Sequence, residues 1–236
     1  MKKTIHKANT RGHADHGWLQ TWHTFSFADY YDPERIHFGA LRVLNDDVIH
    51  PAMGFGTHPH DNMEIITIPL RGALEHKDST GGHGVIKKNE IQVMSAGTGI
   101  RHSEYNASDK ELLSLLQIWI HTRDEDIKPR YDQKEFRESD RKGHFQLIVS
   151  PDATSGSLMI HQDAWLYLGD FEEGQKVDYT LHPGKNGVYM FIIKGEILVA
   201  EACLKTRDGI GIQGANTITF NVNKDSEVLL MEVPVR

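Results

Sequence analysis

Short runs of aliphatic and β-branched residues alternate with turn-forming residues along the whole chain. Gly, with Asn, Asp, Ser or a basic residue beside it, separates the runs, and long amphipathic helical patterns are nearly absent. Hydrophobic runs bounded in this way predict β-strands. The predicted strands cover residues 41–44, 63–70, 91–94, 112–120, 145–149, 158–160, 188–193, 217–222 and 228–233. Many short strands at this density predict an all-β fold, either a sandwich or a barrel.

Two pairs of potential metal ligands have a spacing that suits strands. His58 and His60 are two residues apart, and so are His102 and Glu104. Alternate side chains of a strand share one face, so each pair points in one direction, whereas neighbours on a helix are three or four residues apart. Two adjacent strands would therefore bring four ligands to one point. The alternative for His58 and His60 alone is two surface imidazoles in a loop.

The donor types limit the metals that such a site would hold. Imidazole and carboxylate suit Fe(II), Mn(II), Co(II), Ni(II), Cu(II) or Zn(II). A closed structural zinc site normally includes cysteine, and the chain has one cysteine, Cys203, far from these pairs in sequence. The pattern thus predicts one divalent transition metal with open coordination positions.

A faint internal repeat indicates two similar modules. Residues 63–74 and 187–198 share a strand, a basic-Gly turn and a second strand, and residues 57–60 (THPH) correspond to 181–184 (LHPG). The second histidine is glycine in the later copy, and residues 223–227, which should answer His102 and Glu104, contain no histidine. We therefore expect two β-barrels, of which only the first has a metal site.

The sequence between the two copies has a different character. Residues 122–143 are rich in charge and poor in apolar residues, which is typical of a connection between domains. We predict a first domain over residues 1–130 with the metal site, a linker region over 131–144, and a second domain over 145–236 that lacks the ligands.

Composition narrows the location and the partners. The 236 residues are 39% hydrophobic and 25% charged, as in ordinary globular proteins, and the formal net charge is −7. The basic residues are scattered, which argues against direct nucleic-acid binding. No stretch approaches the roughly 20 apolar residues of a membrane span, and the N-terminus lacks a signal-peptide pattern. One cysteine fits a reducing compartment, so we expect a cytoplasmic protein without membrane contacts.

Two further motifs predict no site. His13, His16 and His23 lie in an aromatic-rich block, where histidines usually pack and make one hydrogen bond. Residues 209–214 match Gly-x-Gly-x-x-Gly, but they continue into a predicted strand and too little chain follows for a dinucleotide-binding unit.

The motifs around the ligands resemble a known family. The His-x-His pair and the later histidine, between Gly-rich turns in a β-rich chain, resemble a cupin. Residues 11–13, 17–19, 22–33 and 41–47 resemble the pirin family in particular, and residues 56–60 (GTHPH) and 95–104 (SAGTGIRHSE) match its signature stretches. The resemblance runs from about residue 5 to the C-terminus and is strongest up to Ile120.

The resemblance implies a bicupin, two cupin-type β-barrels of the jelly-roll type in one chain. It also implies iron, as Fe(II), held in the first barrel by His58, His60, His102 and Glu104. Glu64 occupies the place of the first cupin motif's glutamate, and we expect it beside the ligands rather than among them. Bacterial pirin-like proteins of this length are similar to quercetin 2,3-dioxygenases, so we expect a dioxygenase that cleaves flavonols with O₂ and releases carbon monoxide.

The expected mechanism assigns one residue a chemical role. The metal would lower the pKa of the flavonol 3-hydroxyl, and Glu104 would accept its proton as general base. Met53, Phe55, Met63 and Met94 are candidates for the pocket wall, although each would also suit a barrel core.

Two other functions stay open at this point. In the first, the metal is regulatory and the chain binds a protein partner, as the resemblance to animal pirins suggests. In the second, the chain is an isomerase or a sugar-binding cupin; the aromatic surroundings of the predicted ligands disfavour this hypothesis.

Overall fold

Strands dominate the computed structural model, which describes residues 1–235, and three short 3₁₀ helices interrupt them. The 3₁₀ helices are Ala8–Thr10, Glu138–Arg141 and Thr154–Gly156. The strands are β1 (Lys2–His6), β2 (Gly12–Asp15), β3 (Leu19–His23), β4 (Leu41–Ile49), β5 (Gly54–His60), β6 (Met63–Arg71), β7 (Ala73–Asp78), β8 (His83–Lys87), β9 (Glu90–Ser95), β10 (Ile100–Asn106), β11 (Leu113–His121), β12 (Arg130–Glu135), β13 (Phe145–Ser150), β14 (Leu158–Met159), β15 (Trp165–Phe171), β16 (Lys176–Thr180), β17 (Asn186–Val199), β18 (Ala202–Lys205), β19 (Gly209–Gln213) and β20 (Thr217–Pro234). Within residues 1–235, no helix has the length and apolarity that crossing a membrane requires.

Two sheets form the first module, which we define as β2 to β12. The larger has the order β12-β9-β6-β11-β4-β3-β2 and the smaller β5-β10-β7-β8, and the strand pairs are antiparallel. The sheets enclose an apolar core at one end of the module, where Leu74 and Ile86 of the smaller sheet pack with Leu113, Leu115 and Ile49 of the larger. The predicted all-β fold is confirmed.

The second module consists of β13 to β20 together with β1, and it forms a single mixed sheet. The predicted strands at residues 217–222 and 228–233 are one continuous strand, β20, which pairs with β17 through several register shifts. A bulged strand keeps its hydrogen bonds to a partner while it bends, so the polar residues between the two apolar runs do not end it.

Two features depart from the predicted domain boundaries. β1 pairs residue by residue with β19, so the N-terminal strand belongs to the second module's sheet and not to the first barrel. β12 pairs with β9, so the charged stretch begins as an edge strand of the first module. Its alternating charged side chains suit an edge that faces solvent, which explains why composition suggested a linker.

A buried hydrophobic cluster joins the modules. Ile66 and Ile118 of the first module and Phe191 and Leu229 of the second are among its members. The outward faces of β6 and β11 therefore pack against the second module, while their inward faces point between the first module's two sheets. Along β11 the inward positions change from Leu113 and Leu115, in the apolar core, to Gln117 and Trp119 at the other end of the module.

Candidate metal centre

Adjacent strands bring the predicted histidines together. β5 and β10 are hydrogen-bonded neighbours in the smaller sheet, and His102 stands directly opposite His58 in their register. The ring centroids of His58 and His102 are 4.4 Å apart, and each lies 4.9 Å from that of His60. One ring nitrogen from each histidine lies within 4.8 Å of the others. The expectation that two neighbouring strands carry the cluster is met for these three residues.

The backbone around the cluster has a bulge at which β5 and β10 approach each other closely. The β5–β10 register shifts between His102 and Glu104, which marks a bulge. Gly54 sits at this point, and a Cβ there would lie 2.2 Å from the carbonyl oxygen of Glu104. Only glycine lets the two backbones approach so closely.

The free ring nitrogens suit metal binding. His58 donates its Nδ1–H to the carbonyl oxygen of Gly56 over 2.8 Å, which leaves Nε2 with a lone pair. The Nε2 atom of His102 is buried and has no hydrogen-bond partner among residues 1–235. Burial lowers the pKa of His102 to about 2 and that of His60 to about 4, and the neighbouring imidazoles add to both effects. The rings of His102 and His60 are therefore neutral near pH 7, as ligation requires.

Glu104, the predicted carboxylate ligand, is buried. It is 3% exposed, and Gln117 donates a hydrogen bond to its Oε2 over 2.9 Å. Burial raises the pKa of Glu104 to about 7, although the hydrogen bond from Gln117 acts in the opposite direction. Its carboxylate lies within 4.8 Å of ligand atoms of His102 and of a fourth histidine, His76. His102 is therefore common to two clusters, the three histidines and the His76–His102–Glu104 group.

An aromatic cavity of about 190 Å³ opens onto these side chains. The ring of Trp119 lies edge-on to His60 with centroids 4.8 Å apart, and Phe27 lies edge-on to Trp119 at 5.2 Å. A wider depression of about 610 Å³ shares His58, His60 and Trp119 with the cavity and leads outward. The lining of the cavity is Phe27, Asn45, Asp47, Phe55, His58, His60, His102, Glu104, Gln117 and Trp119.

The four candidates for the pocket wall have different positions. Phe55 lines the cavity and Met63 lines the outer depression. Met94 is wholly buried in a hydrophobic cluster with Ile65, and Met53 is exposed, so neither contributes to the wall. Met94 thus has the core position that the sequence left open for it.

The expectation for Glu64 was wrong. It shares the outward face of β6 with Ile66 and Ile68, which lie in the cluster between the modules. Its carboxylate accepts a hydrogen bond from Ser95 Oγ over 2.7 Å and is also bonded by the backbone of His161 in the second module. Burial, opposed by these hydrogen bonds, raises its pKa to about 7. Glu64 is thus a buried acid at the interface of the modules.

Sequence reasoning missed a buried acid in the cavity wall, Asp47. Its Oδ1 has no hydrogen-bond partner in the described part of the chain. Burial, together with the charges of Asp46 and Glu104, raises the pKa of Asp47 to about 7 despite a hydrogen bond from Thr21. The available signal was the polar run Asn45-Asp46-Asp47 inside a hydrophobic strand, since an inward polar residue in such a strand is unusual.

His76 and Asp78 were missed as well. Both side chains are wholly buried, and His76 Nε2 lies 2.9 Å from Asp78 Oδ2. The Nδ1 atoms of His76 and His102 are 3.5 Å apart. The His-x-Asp spacing would have placed both on one face of a strand, but nothing in the sequence shows that this strand lies beside β10.

The N-terminal histidines pack as expected. His13 stacks on Trp22 with centroids 4.9 Å apart, and His23 Nδ1 is hydrogen-bonded to Asn45 Oδ1 over 2.9 Å. Among residues 1–235, the groups that could hold a metal are the two around His102.

The second module has a closed polar cluster at the place of the repeat. His182, the counterpart of His58, stacks on Trp165 at 3.9 Å and bonds through Nδ1 to Glu232. The Glu232 carboxylate also accepts hydrogen bonds from Tyr179 and Asn186, both over 2.6 Å. Its oxygens are occupied by protein donors.

The residues present at the first module's site fit a divalent transition metal. Three imidazoles converge, one of them with a buried nitrogen that has no protein partner among residues 1–235, and a carboxylate lies beside them. Neutral imidazole and carboxylate donors are the set that such ions take. The aromatic cavity leaves room for a ligand beside the histidines.

Comparisons with known proteins agree with the fold. Residues 4–120 match the family model described as Pirin, and residues 147–233 match the quercetinase C-terminal cupin domain. The chain is 47% identical over 230 residues to the quercetin 2,3-dioxygenase of Escherichia coli K12, covering 98% of each chain. It is 44% identical to a putative quercetin 2,3-dioxygenase of Pseudomonas aeruginosa, covering 94% of this chain and 95% of the relative.

Solved structures show the same architecture. The crystal structure of the bacterial pirin YhhW of Escherichia coli in complex with nickel(II) superposes with a TM-score of 0.94 at 46% identity and covers 100% of both chains. A quercetin 2,3-dioxygenase of Acinetobacter baumannii, at 20% identity, shares the fold with a TM-score of 0.80 over 99% of this chain and 79% of that one. With two cupin modules and relatives that match over its whole length, the chain belongs to the pirin family.

Proposed function

We propose that this protein is a metal-dependent dioxygenase that cleaves flavonols of the quercetin type, with His58, His60, His102 and Glu104 as metal ligands. The observation that carries the proposal is the convergence of three imidazoles, with ligand atoms within 4.8 Å of one another, in the wall of an aromatic cavity. Its support from relatives is the full-length similarity to quercetin 2,3-dioxygenases.

The cavity suits a flat, hydroxylated aromatic substrate. Trp119, Phe27 and Phe55 present ring surfaces beside the histidines, and such surfaces bind planar rings through stacked or edge-to-face contacts. Asp47 and Asn45 supply polar groups in the same wall. The Asp47 oxygen without a protein partner can accept a hydrogen bond from a substrate hydroxyl.

Glu104 is the base of the proposed reaction. Its carboxylate is buried and lies within 4.8 Å of a ligand atom of His102, so it can accept a proton from a substrate bound beside the histidines. A divalent metal bound by the histidines supplies Lewis-acid polarisation of the substrate's enol oxygen. Glu104 accepts the 3-hydroxyl proton, while the cavity wall excludes water from the enolate. In the overall reaction one flavonol and one O₂ give one ring-opened ester and one carbon monoxide, so O₂ is the oxidant.

Fe(II) is the metal we propose for the cell, because it is the ion that the family resemblance implies and because imidazole and carboxylate donors accept it. The nickel(II) complex of the related bacterial pirin is a reason to assay both ions. A cytoplasmic location remains a prediction from the sequence.

Oxygen uptake with quercetin tests the proposal. Protein loaded with Fe(II) or Ni(II) should consume one O₂ per quercetin, and His58→Ala should abolish the uptake. His83→Ala is a matched control, since His83 is exposed on β8 outside the cluster, and it should keep full activity. Absence of uptake with either metal and any flavonol overturns the dioxygenase assignment, and the regulatory alternative with a protein partner then becomes the hypothesis to test.

A further inference from the structure

A buried chain of polar side chains leads from the end of β7 to His102 on the neighbouring strand β10. β7 carries His76 and Asp78 on one face and lies beside β10, where Asp78 is in register with His102. His76 and Asp78 have no exposed side-chain surface. The ring of Tyr131 from the opposite sheet stacks on His76 with centroids 4.6 Å apart, which holds the imidazole in its plane.

The outer end of this chain is fixed by backbone donors. Asp78 Oδ1 accepts hydrogen bonds from the backbone N–H groups of Thr80, over 2.7 Å, and Gly82, over 3.1 Å, and from the Thr80 hydroxyl. Its other oxygen, Oδ2, is the partner of His76 Nε2 at 2.9 Å. A Cβ at residue 82 would lie 2.2 Å from Oδ2, so Gly82 leaves the room that this arrangement needs.

Hydrogen-bond chemistry then fixes the proton on each ring. An ionised carboxylate is an acceptor only, so His76 donates its Nε2–H to Asp78. A neutral imidazole has one N–H, so His76 Nδ1 carries a lone pair and accepts the Nδ1–H of His102 over 3.5 Å. His102 therefore has its lone pair on Nε2, the buried atom that lacks a protein partner and lies beside His58 and His60.

We propose that Asp78 and His76 are positioning residues that hold His102 in the tautomer required for metal binding. In metal sites, a ligating histidine commonly donates its second ring N–H to a carboxylate or carbonyl, which sets its tautomer and orientation. Here a second histidine lies between the ligand and the carboxylate. The inference rests on the metal site of the proposed function but is independent of the flavonol substrate.

Asp78→Asn is a sharp test because the structure dictates how the new amide is oriented. Two backbone N–H groups face the Oδ1 position, so the amide oxygen stays there and the NH₂ group faces His76. His76 must then accept at Nε2 and donate from Nδ1, and His102 must accept at Nδ1 and carry its proton on Nε2. The variant keeps the shape of the side chain while it blocks the ligand nitrogen.

Two measurements test the tautomers and the metal affinity without an activity assay. Long-range ¹H–¹⁵N NMR of the metal-free protein should show His102 protonated on Nδ1 and His76 on Nε2, and Asp78→Asn should invert both. Calorimetric titration with Ni(II) alone should show affinity weakened by roughly 10- to 100-fold, the usual effect of losing such an outer partner. Glu75→Gln, which changes an exposed carboxylate on the same strand, should leave tautomers and affinity unchanged.

The native protein alone can overturn the proposal, even if the variant fails to fold. Protonation of His102 on Nε2 in the native metal-free protein would contradict it. So would an Asp78→Asn protein that folds, keeps the native tautomers and binds Ni(II) within twofold of the native affinity. If the native protein does not bind Ni(II), the metal site itself is contradicted. If it binds Ni(II) but takes up no oxygen with quercetin, only the dioxygenase function is contradicted.

Discussion

Gln117 donates a side-chain N–H to Glu104 Oε2 over 2.9 Å, and Thr67 fixes the orientation of the donating amide. Thr67 Oγ1 lies 3.0 Å from Gln117 Oε1 and 3.4 Å from Glu104 Oε1. A hydroxyl has one proton, and the shorter contact takes it, so the Gln117 oxygen faces Thr67 and its NH₂ faces the carboxylate. The larger sheet thereby holds the carboxylate that the smaller sheet carries.

We expect Gln117→Leu to weaken metal binding by roughly 10- to 100-fold, because the side chain that orients the Glu104 carboxylate is lost. The affinity for Ni(II), measured by calorimetry, tests this expectation. Ser114→Ala, on the same strand but on its outward face, is the control. A Gln117→Leu protein with native affinity would show that Glu104 is held without the amide.

Trp119 should contribute to substrate binding rather than to metal binding. Its ring forms part of the cavity wall edge-on to His60. Removing one aromatic contact of about 1–1.5 kcal/mol corresponds to a rise in KM for quercetin of roughly tenfold. Trp119→Ala should show that rise with Ni(II) affinity unchanged, and Trp165→Ala in the second module should alter neither. An unchanged KM would mean that the flavonol does not contact this wall.

Glu64 should make the metal-free protein less stable as the pH rises. Its pKa is about 4.5 in the unfolded chain and about 7 in the folded protein, so the folded state retains a proton that the unfolded state has lost between these values. The resulting loss in the free energy of unfolding grows as the pH rises from about 4.5 to about 7 and reaches about 3 kcal/mol at pH 8. Glu64→Gln should raise the free energy of unfolding by about that amount at pH 8 and by less than about 1 kcal/mol at pH 5.

Urea denaturation of chelator-treated protein at the two pH values measures the effect of Glu64. Glu111→Gln removes an exposed carboxylate and should change stability little at either pH. Equal effects of Glu64→Gln at pH 5 and pH 8 would contradict a raised pKa at this position.

His6 should make the folded protein less stable as the pH falls, the opposite of the pH dependence expected from Glu64. Burial and the nearby charge of Arg35 lower its pKa from 6.5 to about 4, and its Nδ1 is hydrogen-bonded to Tyr189 over 2.8 Å. Its folded pKa lies below the unfolded value, so stability is lost as the pH falls from 6.5 toward 4. The loss at pH 5 is about 2 kcal/mol, and His6→Gln should abolish this part of the acid sensitivity.

The measurement for His6 is the difference in unfolding free energy between pH 7 and pH 5, in native protein and in the variant. His144→Gln is the control, since His144 is exposed and its Nδ1 is hydrogen-bonded to the backbone carbonyl of Lys142 over 2.9 Å. An acid sensitivity that is the same in native and His6→Gln protein would show that His6 is solvated in the folded state.

The sequence by itself determined the features that depend on local geometry. Alternation within a strand fixes which residues share a face, so the spacing of His58 and His60 predicts that their rings lie together, as they do in the structure. The assignment of Glu104 as a ligand remains a prediction. The apolar runs were sufficient to predict an all-β chain, and the signature stretches around the ligands indicated the family that the comparisons confirm.

Tertiary structure decided everything that depends on which strands meet. Whether a face points into the cavity or toward the other module is set by long-range pairing, which is why Glu64 was misplaced while Gln117 and Asp47 went unnoticed. Pairing of β1 with β19 likewise places His6 in the second module's sheet. Asp78 and His76 reach His102 only because β7 lies beside β10, and the spacing of residues within one strand carries no information about its neighbours.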